Sequence, residues 1–278
     1  MKQILLSLAL LLGLSAFGQQ AQGEHKVTKL WETDTVIKTP ESVLPDYKNQ
    51  QLYVSLIDGG GWDADGKGGV GILSMDGKIK SQDFVTGLDA PKGLGRLKQS
   101  LYAADMNVVV VINLADGKII KKIAIPGGQN LNDIATDRKA NAVYVSDSKT
   151  GRIWKIVNDT PELYLDNIKG ANGLKCVGDE LIFAKGKSLW KADKDKHEVK
   201  IADVPNGIDG IEPVGNGDFL VTAWAGYLYY VSADGKVQTL LETHADKKNT
   251  ADIGYDKRNK IIYIPSFNGK TVAAYKLQ

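Results

Sequence analysis

VYVSDSKTGRIWKIVNDTPELYLD, residues 143–166, reads as three strands in close succession. Val143-Tyr144-Val145 is a β-branched and aromatic run, Arg152 to Val157 follows as a second strand, and Glu162 to Asp166 closes the unit. Between the last two lies Asn158-Asp159, a pair that accepts positive φ cheaply, as a tight primed hairpin turn requires. Just upstream, Asn132-Asp133-Ile134 opens a fourth strand. Four short antiparallel strands in about forty residues make one blade of a propeller.

The unit recurs along the chain. Leu52-Tyr53-Val54, Leu101-Tyr102-Ala103, Val143-Tyr144-Val145, Leu181-Ile182-Phe183, Phe219-Leu220-Val221 and Ile262-Tyr263-Ile264 have middle residues 49, 42, 38, 38 and 43 apart. Asp76-Gly77, Asp116-Gly117 and Asp234-Gly235 stand where further primed turns are expected. The sixth unit lacks a closing strand, but Val27-Thr28-Lys29-Leu30-Trp31-Glu32-Thr33 matches the pattern of Val237 to Thr243. The N-terminal strand is therefore expected to complete the last blade and remove an exposed sheet edge. A β-sandwich, the competing all-β architecture, gives no reason for a period near forty. The expected fold is a six-bladed β-propeller.

At the N-terminus Lys2 precedes the apolar run Ile4 to Leu14, and Ala16-Phe17-Gly18 supplies small residues before Gln19. This pattern predicts a signal peptide over residues 1–18 and an exported domain over 19–278, periplasmic or secreted. The apolar run is shorter than the roughly 20 residues of a spanning helix, so no membrane anchor is expected. With 35 basic and 33 acidic residues, a net charge of +2 gives no electrostatic case for nucleic acid or an anionic membrane. The expected partner is a small molecule, met by a monomer. Cys176 is the only cysteine; no disulfide is expected, and its apolar neighbours predict an inert thiol.

The innermost strand of a blade lines the central channel, and it precedes each aromatic run. Counting back from the middle of each run gives Glu41, Asn132, Asn172, Asp209 and Asp252 at 10 to 12 residues, with Pro91 or Lys92 in the second blade. Short oxygen-bearing side chains at one structural position make a cage of hard donors, suited to Ca²⁺ with water completing the shell. None of His25, His197 and His244 falls at a channel position, which disfavours a histidine-based metal site or triad. The plainer alternative is that these Asn and Asp residues make local turns at strand starts.

The order Glu41, Asn132-Asp133, Asn172-Gly173-Leu174 and Asp209-Gly210 resembles that of the senescence marker protein, gluconolactonase and regucalcin-like family, over nearly the whole chain after residue 18. The resemblance implies a six-bladed propeller with one divalent cation, often calcium, held by Glu41, Asn132, Asn172 and Asp209. It also implies hydrolysis of lactones or related esters, with Asp209 serving in proton transfer as the catalytic residue. Where enzymes of that family often carry a substrate-holding Arg, this chain has Asn130, and Glu41 is followed by Ser42-Val43-Leu44-Pro45 instead of Gly-Pro and an aromatic. Lys92, Asn130 and Asp252 are the candidate substrate-binding residues. The alternative function is a non-catalytic exported propeller that binds a small ligand or protein at its channel face.

Gly61-Trp62-Asp63-Ala64-Asp65-Gly66-Lys67 has the spacing of a phosphate-binding loop. Gly68 stands at the Ser/Thr position, two carboxylates would repel a phosphate, and no helix follows, so nucleotide binding is not expected. Its length and Trp62 suggest a lid over the channel mouth. Trp154, Trp190 and Trp224 are expected to pack within or beside blade strands, and Lys191 to Lys196 to form a solvated hairpin tip.

Overall fold

Period-two alternation with both faces apolar, as in Leu52-Tyr53-Val54, makes a strand that must be covered on each side. The computed structural model, which describes residues 24–278, provides that cover by packing sheet against sheet around a ring. Among the described residues there are six four-stranded antiparallel sheets, five with their strands in sequential order from channel to rim and the sixth with the first strand of the chain at its rim. The fold is the expected six-bladed propeller; the expected signal peptide lies outside the described residues. Blade I comprises Pro40–Asp46, Gln51–Leu56, Gly68–Ser74 and Ile79–Leu88. The inner strands of blades II to V are Pro91–Leu97, Leu131–Asp137, Ala171–Val177 and Ile208–Gly215.

Blade VI is assembled from both ends of the chain. Val27–Glu32 pairs antiparallel with Thr271–Leu277, from Val27 opposite Leu277 to Glu32 opposite Ala273. That strand covers the edge the last blade would otherwise expose. His25 stacks on Tyr230 of blade V at 3.8 Å, and its backbone N–H donates to Gln238 at 3.0 Å.

Six apolar clusters fill the six gaps between blades. Leu52 and Val54 face Tyr263 and Val272 of blade VI, while Tyr53, between them in sequence, faces Leu94 and Leu101 of blade II. Phe183, fully buried, packs between blades III and IV. Burying such a side chain stabilises the fold by about 1.5–3 kcal/mol, and no disulfide contributes, because Cys176 is free. Burial pushes the Cys176 thiol up to about 12, consistent with an inert group.

The turns depart from expectation. Only Asn158-Asp159 has both residues at positive φ, 49° and 64°. At the other three sites the Gly alone is positive, Gly77 at 87°, Gly117 at 70° and Gly235 at 81°. Those are longer turns in which the glycine takes the left-handed position; Asp76 and Asp234 stay right-handed and accept hydrogen bonds from Ser74 and Ser232. Among the described residues the only helix is a 3₁₀ turn at His244–Asp246, and no helix is long and apolar enough to cross a membrane.

Candidate functional site

The inner strands of blades I to V share an irregularity that aims their side chains. In blade I, Pro40 pairs with Leu56 and Val43 with Val54, so three steps on the inner strand answer two on its neighbour. The same shift occurs at Pro91/Leu94, Leu131/Ile134, Ala171/Leu174 and Ile208/Ile211. A bulge adds one residue and re-aims its neighbours. The residue after the first paired position is Glu41, Lys92, Asn132, Asn172 or Asp209, and all five line one cavity of about 220 Å³ at the channel mouth.

Two glycines let these strands come together. A Cβ on Gly173 would lie 2.1 Å from the Asp209 carbonyl oxygen, and one on Gly210 would lie 2.6 Å from the Ile253 nitrogen. Asn172-Gly173 and Asp209-Gly210 are thus sites of close strand approach, not turns. Asp133 does fit the plainer local reading. Its carboxylate accepts from the Ile134 and Leu174 N–H groups at 2.6 Å each, tying blade III to blade IV.

Glu41 and Asp209 are each 3% exposed. Burial first, then the charge of Asp209, pushes the Glu41 carboxyl well above the usual carboxylate range. Burial, then the charge of Asp252, pushes Asp209 to about 7, against a hydrogen bond from Asn172. Glu41 Oε2 and Asn172 Oδ1 are buried with no hydrogen-bond partner. Buried oxygens without donors, beside carboxylates that repel each other, are what a cation would relieve. Glu41, Asn132, Asn172 and Asp209 therefore fit a hard divalent ion by donor chemistry.

Lys92 is 5% exposed and does not fill that place. Its ammonium donates to the carbonyls of Gly61 at 2.5 Å and Ala90 at 3.3 Å, and sits 3.9 Å from the Trp62 ring centroid. Burial lowers its pKa, against the raising charges of Glu41, Asp105 and Asp209. Lys92 thereby fastens the Gly61-Trp62 stretch over the cavity, where the lid was expected. In the same loop Asp65 is occupied by Lys67 at 2.8 Å.

Asp252 and Asn130 stand apart from this cavity. Asp252 accepts a hydrogen bond from Ser42 Oγ at 2.5 Å, and its N–H donates to the Glu41 carbonyl at 3.0 Å. It supports the backbone of Glu41 without lining the cavity. Asn130 lies in a turn, its N–H on Asp147 at 3.3 Å and its carbonyl accepting from the Ser148 N–H at 3.0 Å. Trp224, expected to pack, instead lines the cavity and is 43% exposed, because it sits in the turn after Asp218–Ala223 and not on a strand. Phe267 completes the lining and was missed altogether, as it too occupies a turn without a repeat pattern.

Two other features compete for attention. Asp193, Asp195 and His197 could present three ligand atoms within 4.8 Å, but Asp193 already accepts from His197 and Asp195 in an exposed hairpin tip. A cavity of about 480 Å³ at the opposite end of the inner strands is lined by Arg96, Arg138 and Lys175 among others. There Arg96 pairs with Asp46 at 2.7 Å and Lys175 with Glu212 at 2.6 Å.

Neither a protein-family model nor a curated protein sequence matches the chain. Solved structures do match. A streptogramin B lyase is 12% identical with a TM-score of 0.65, over 91% of this chain and 98% of that one. A provisionally assigned gluconolactonase is 13% identical with a TM-score of 0.69, over 91% and 92% of the two chains. A luciferin-regenerating enzyme is 11% identical with a TM-score of 0.63, over 91% and 95%. With 1330 solved chains alike, this resemblance speaks for the propeller architecture and not for one chemistry.

Proposed function

We propose that the protein is a divalent-cation-dependent hydrolase of lactones or related esters, exported, acting at the channel mouth. One observation carries the reading: Glu41 Oε2 and Asn172 Oδ1 are buried without partners beside Asp209, on a cavity shared with Asn132. The gluconolactonase among the fold neighbours is consistent with it. Ca²⁺ suits these oxygen donors best, with Glu41, Asn132, Asn172 and Asp209 as its ligands. A bound cation would polarise the ester carbonyl and stabilise the oxyanion that forms on it.

The chain's own groups supply the rest. Asp209 takes a proton from the attacking water as the new carbon–oxygen bond forms, and returns it to the ring oxygen as the acyl–oxygen bond breaks. Lactone and water thus become one hydroxy acid. Asn172, bonded to Asp209, orients the carboxyl. Trp62, held by Lys92, shields the floor of the cavity from bulk water.

The test is metal content by elemental analysis, then hydrolysis of a lactone panel with and without chelator, for the native chain and Asp209→Ala. The reading expects about one cation per chain, chelator-sensitive turnover and a loss of at least 100-fold in Asp209→Ala. Turnover that ignores chelator, or none on any lactone, overturns it. A cation bound without turnover would instead favour a ligand-binding propeller.

A further inference from the structure

The cavity floor is polar, but its wall is not. Above Glu41, Lys92, Asn132, Asn172 and Asp209 stand Gly61, Trp62, Trp224 and Phe267, which bring no hydroxyl, amide or carboxylate side chain. The three rings come from loops of three consecutive blades around the ring, V, VI and I. Trp224 meets Phe267 edge-on, with centroids 5.2 Å apart at 66°, and a Cβ on Gly61 would lie 3.8 Å from Phe267 Cζ. They form a half-collar on one side of the mouth.

Trp62 and Trp224 remain 37% and 43% exposed. Aromatic rings left open around a concave site mark a place where an apolar group is received. The one cation in the cavity is already committed, since Lys92 gives its ammonium to two carbonyls and the Trp62 face. Apart from the donor-only indole N–H groups of Trp62 and Trp224, this wall offers the hydroxyls of a polyol no side-chain partner and no acceptor, a costly outcome for a desolvated polar group.

We infer that the substrate is a lactone carrying an apolar substituent, alkyl or aryl, that rests against Trp224 and Phe267, rather than a polyhydroxylated sugar lactone. The lactone ring rests on the hydrolase reading above; the apolar substituent rests on the collar alone. The 220 Å³ available equals roughly seven waters at about 30 Å³ each. That holds a five- or six-membered ring within the cavity, with the substituent crossing the rim on the Trp224 side.

The experiment uses three probes: a phenyl-substituted δ-lactone, the matching phenyl-substituted δ-lactam, which keeps the ring but resists hydrolysis, and gluconolactone. Binding is read by calorimetry and tryptophan fluorescence on the full chain, Trp224→Ala and Phe267→Ala, each checked for an unchanged melting profile. Trp224 is exposed and Phe267 half-buried in turns, so both variants keep the blades intact.

The lactam should bind the native chain, and about ten-fold more weakly in Trp224→Ala or Phe267→Ala. The phenyl lactone should outcompete gluconolactone by ten- to 100-fold, the range an apolar pocket reaches against added hydroxyls. Lactam binding without lactone turnover would sustain the apolar ligand class while the hydrolase reading falls. Equal or better use of gluconolactone, or lactam binding untouched by both aromatic variants, overturns the inference.

Discussion

Replacing Asp209 by Asn should stabilise the protein when no cation is present. The carboxyl is 3% exposed and its pKa rises from 3.8 to about 7 through burial and the charge of Asp252. Each pKa unit is worth about 1.4 kcal/mol, so keeping this group ionised at pH 8 costs the folded chain about 4 kcal/mol. Asn keeps the shape and the contact with Asn172 but removes the charge. Allowing for relaxation, a gain of about 2–4 kcal/mol remains, or roughly 5–15 °C in melting temperature for a chain of this size.

The sign over pH follows from linkage. A carboxyl whose folded pKa lies above its unfolded value gives stability that is full below the unfolded value and is lost as pH climbs through the folded one. In chelator, native stability should therefore fall between about pH 4 and pH 7 relative to Asp209→Asn. Glu41 and Asp252 are raised also and persist in both proteins; because the charge of Asp209 helps raise Glu41, the difference between the two curves reports Asp209 together with its coupling to Glu41. The assay is thermal melting in chelator from pH 5 to pH 8. A variant that melts lower than the native chain at pH 8, or parallel curves, would refute the claim that this ring of oxygens is strained without a cation.

Other substitutions probe the same geometry. Gly173→Ala places a methyl 2.1 Å from the Asp209 carbonyl; the strands must separate, and cation affinity should drop at least ten-fold in a calorimetric titration. Lys92→Met frees the Gly61-Trp62 stretch and should raise the quenching of Trp62 by acrylamide, measured with Trp224 changed to Phe. Phe183→Ala, fully buried between blades III and IV, should cost about 3–5 kcal/mol in denaturant unfolding without altering the site. Removing residues 1–32 uncovers Thr271–Leu277, and light scattering should report association through that open edge.

The ring was legible because its cause is periodic. Alternation in Leu52-Tyr53-Val54 and its five counterparts states that both faces are buried, and the missing strand after Thr271–Leu277 points back to Val27–Glu32. Register also placed Glu41, Asn132, Asn172 and Asp209 in one cavity, and Lys92 with them. The bulges that aim these side chains leave no mark in composition, as they arise from pairing between strands. Trp224 and Phe267 were illegible for a different reason: they occupy non-repeating turns, and only the closure of the ring brings blades V, VI and I to one mouth. Asp252 shared the sequence offset of the cavity residues, yet its carboxylate is taken by Ser42 and it does not line the cavity. The Asp-Gly turns were misjudged in type because Asp76 and Asp234 gain side-chain hydrogen bonds in the right-handed region.

A calorimetric titration of the chelated protein with Ca²⁺ tests the centre of this account most directly. It should show one site per chain in the native protein and in Asp193→Ala, whose change lies on the exposed hairpin tip. The site should vanish in Glu41→Gln, which keeps the shape but removes one of the two carboxylates among the proposed ligands. Absence of binding in the native chain, or undiminished binding in Glu41→Gln, would contradict it.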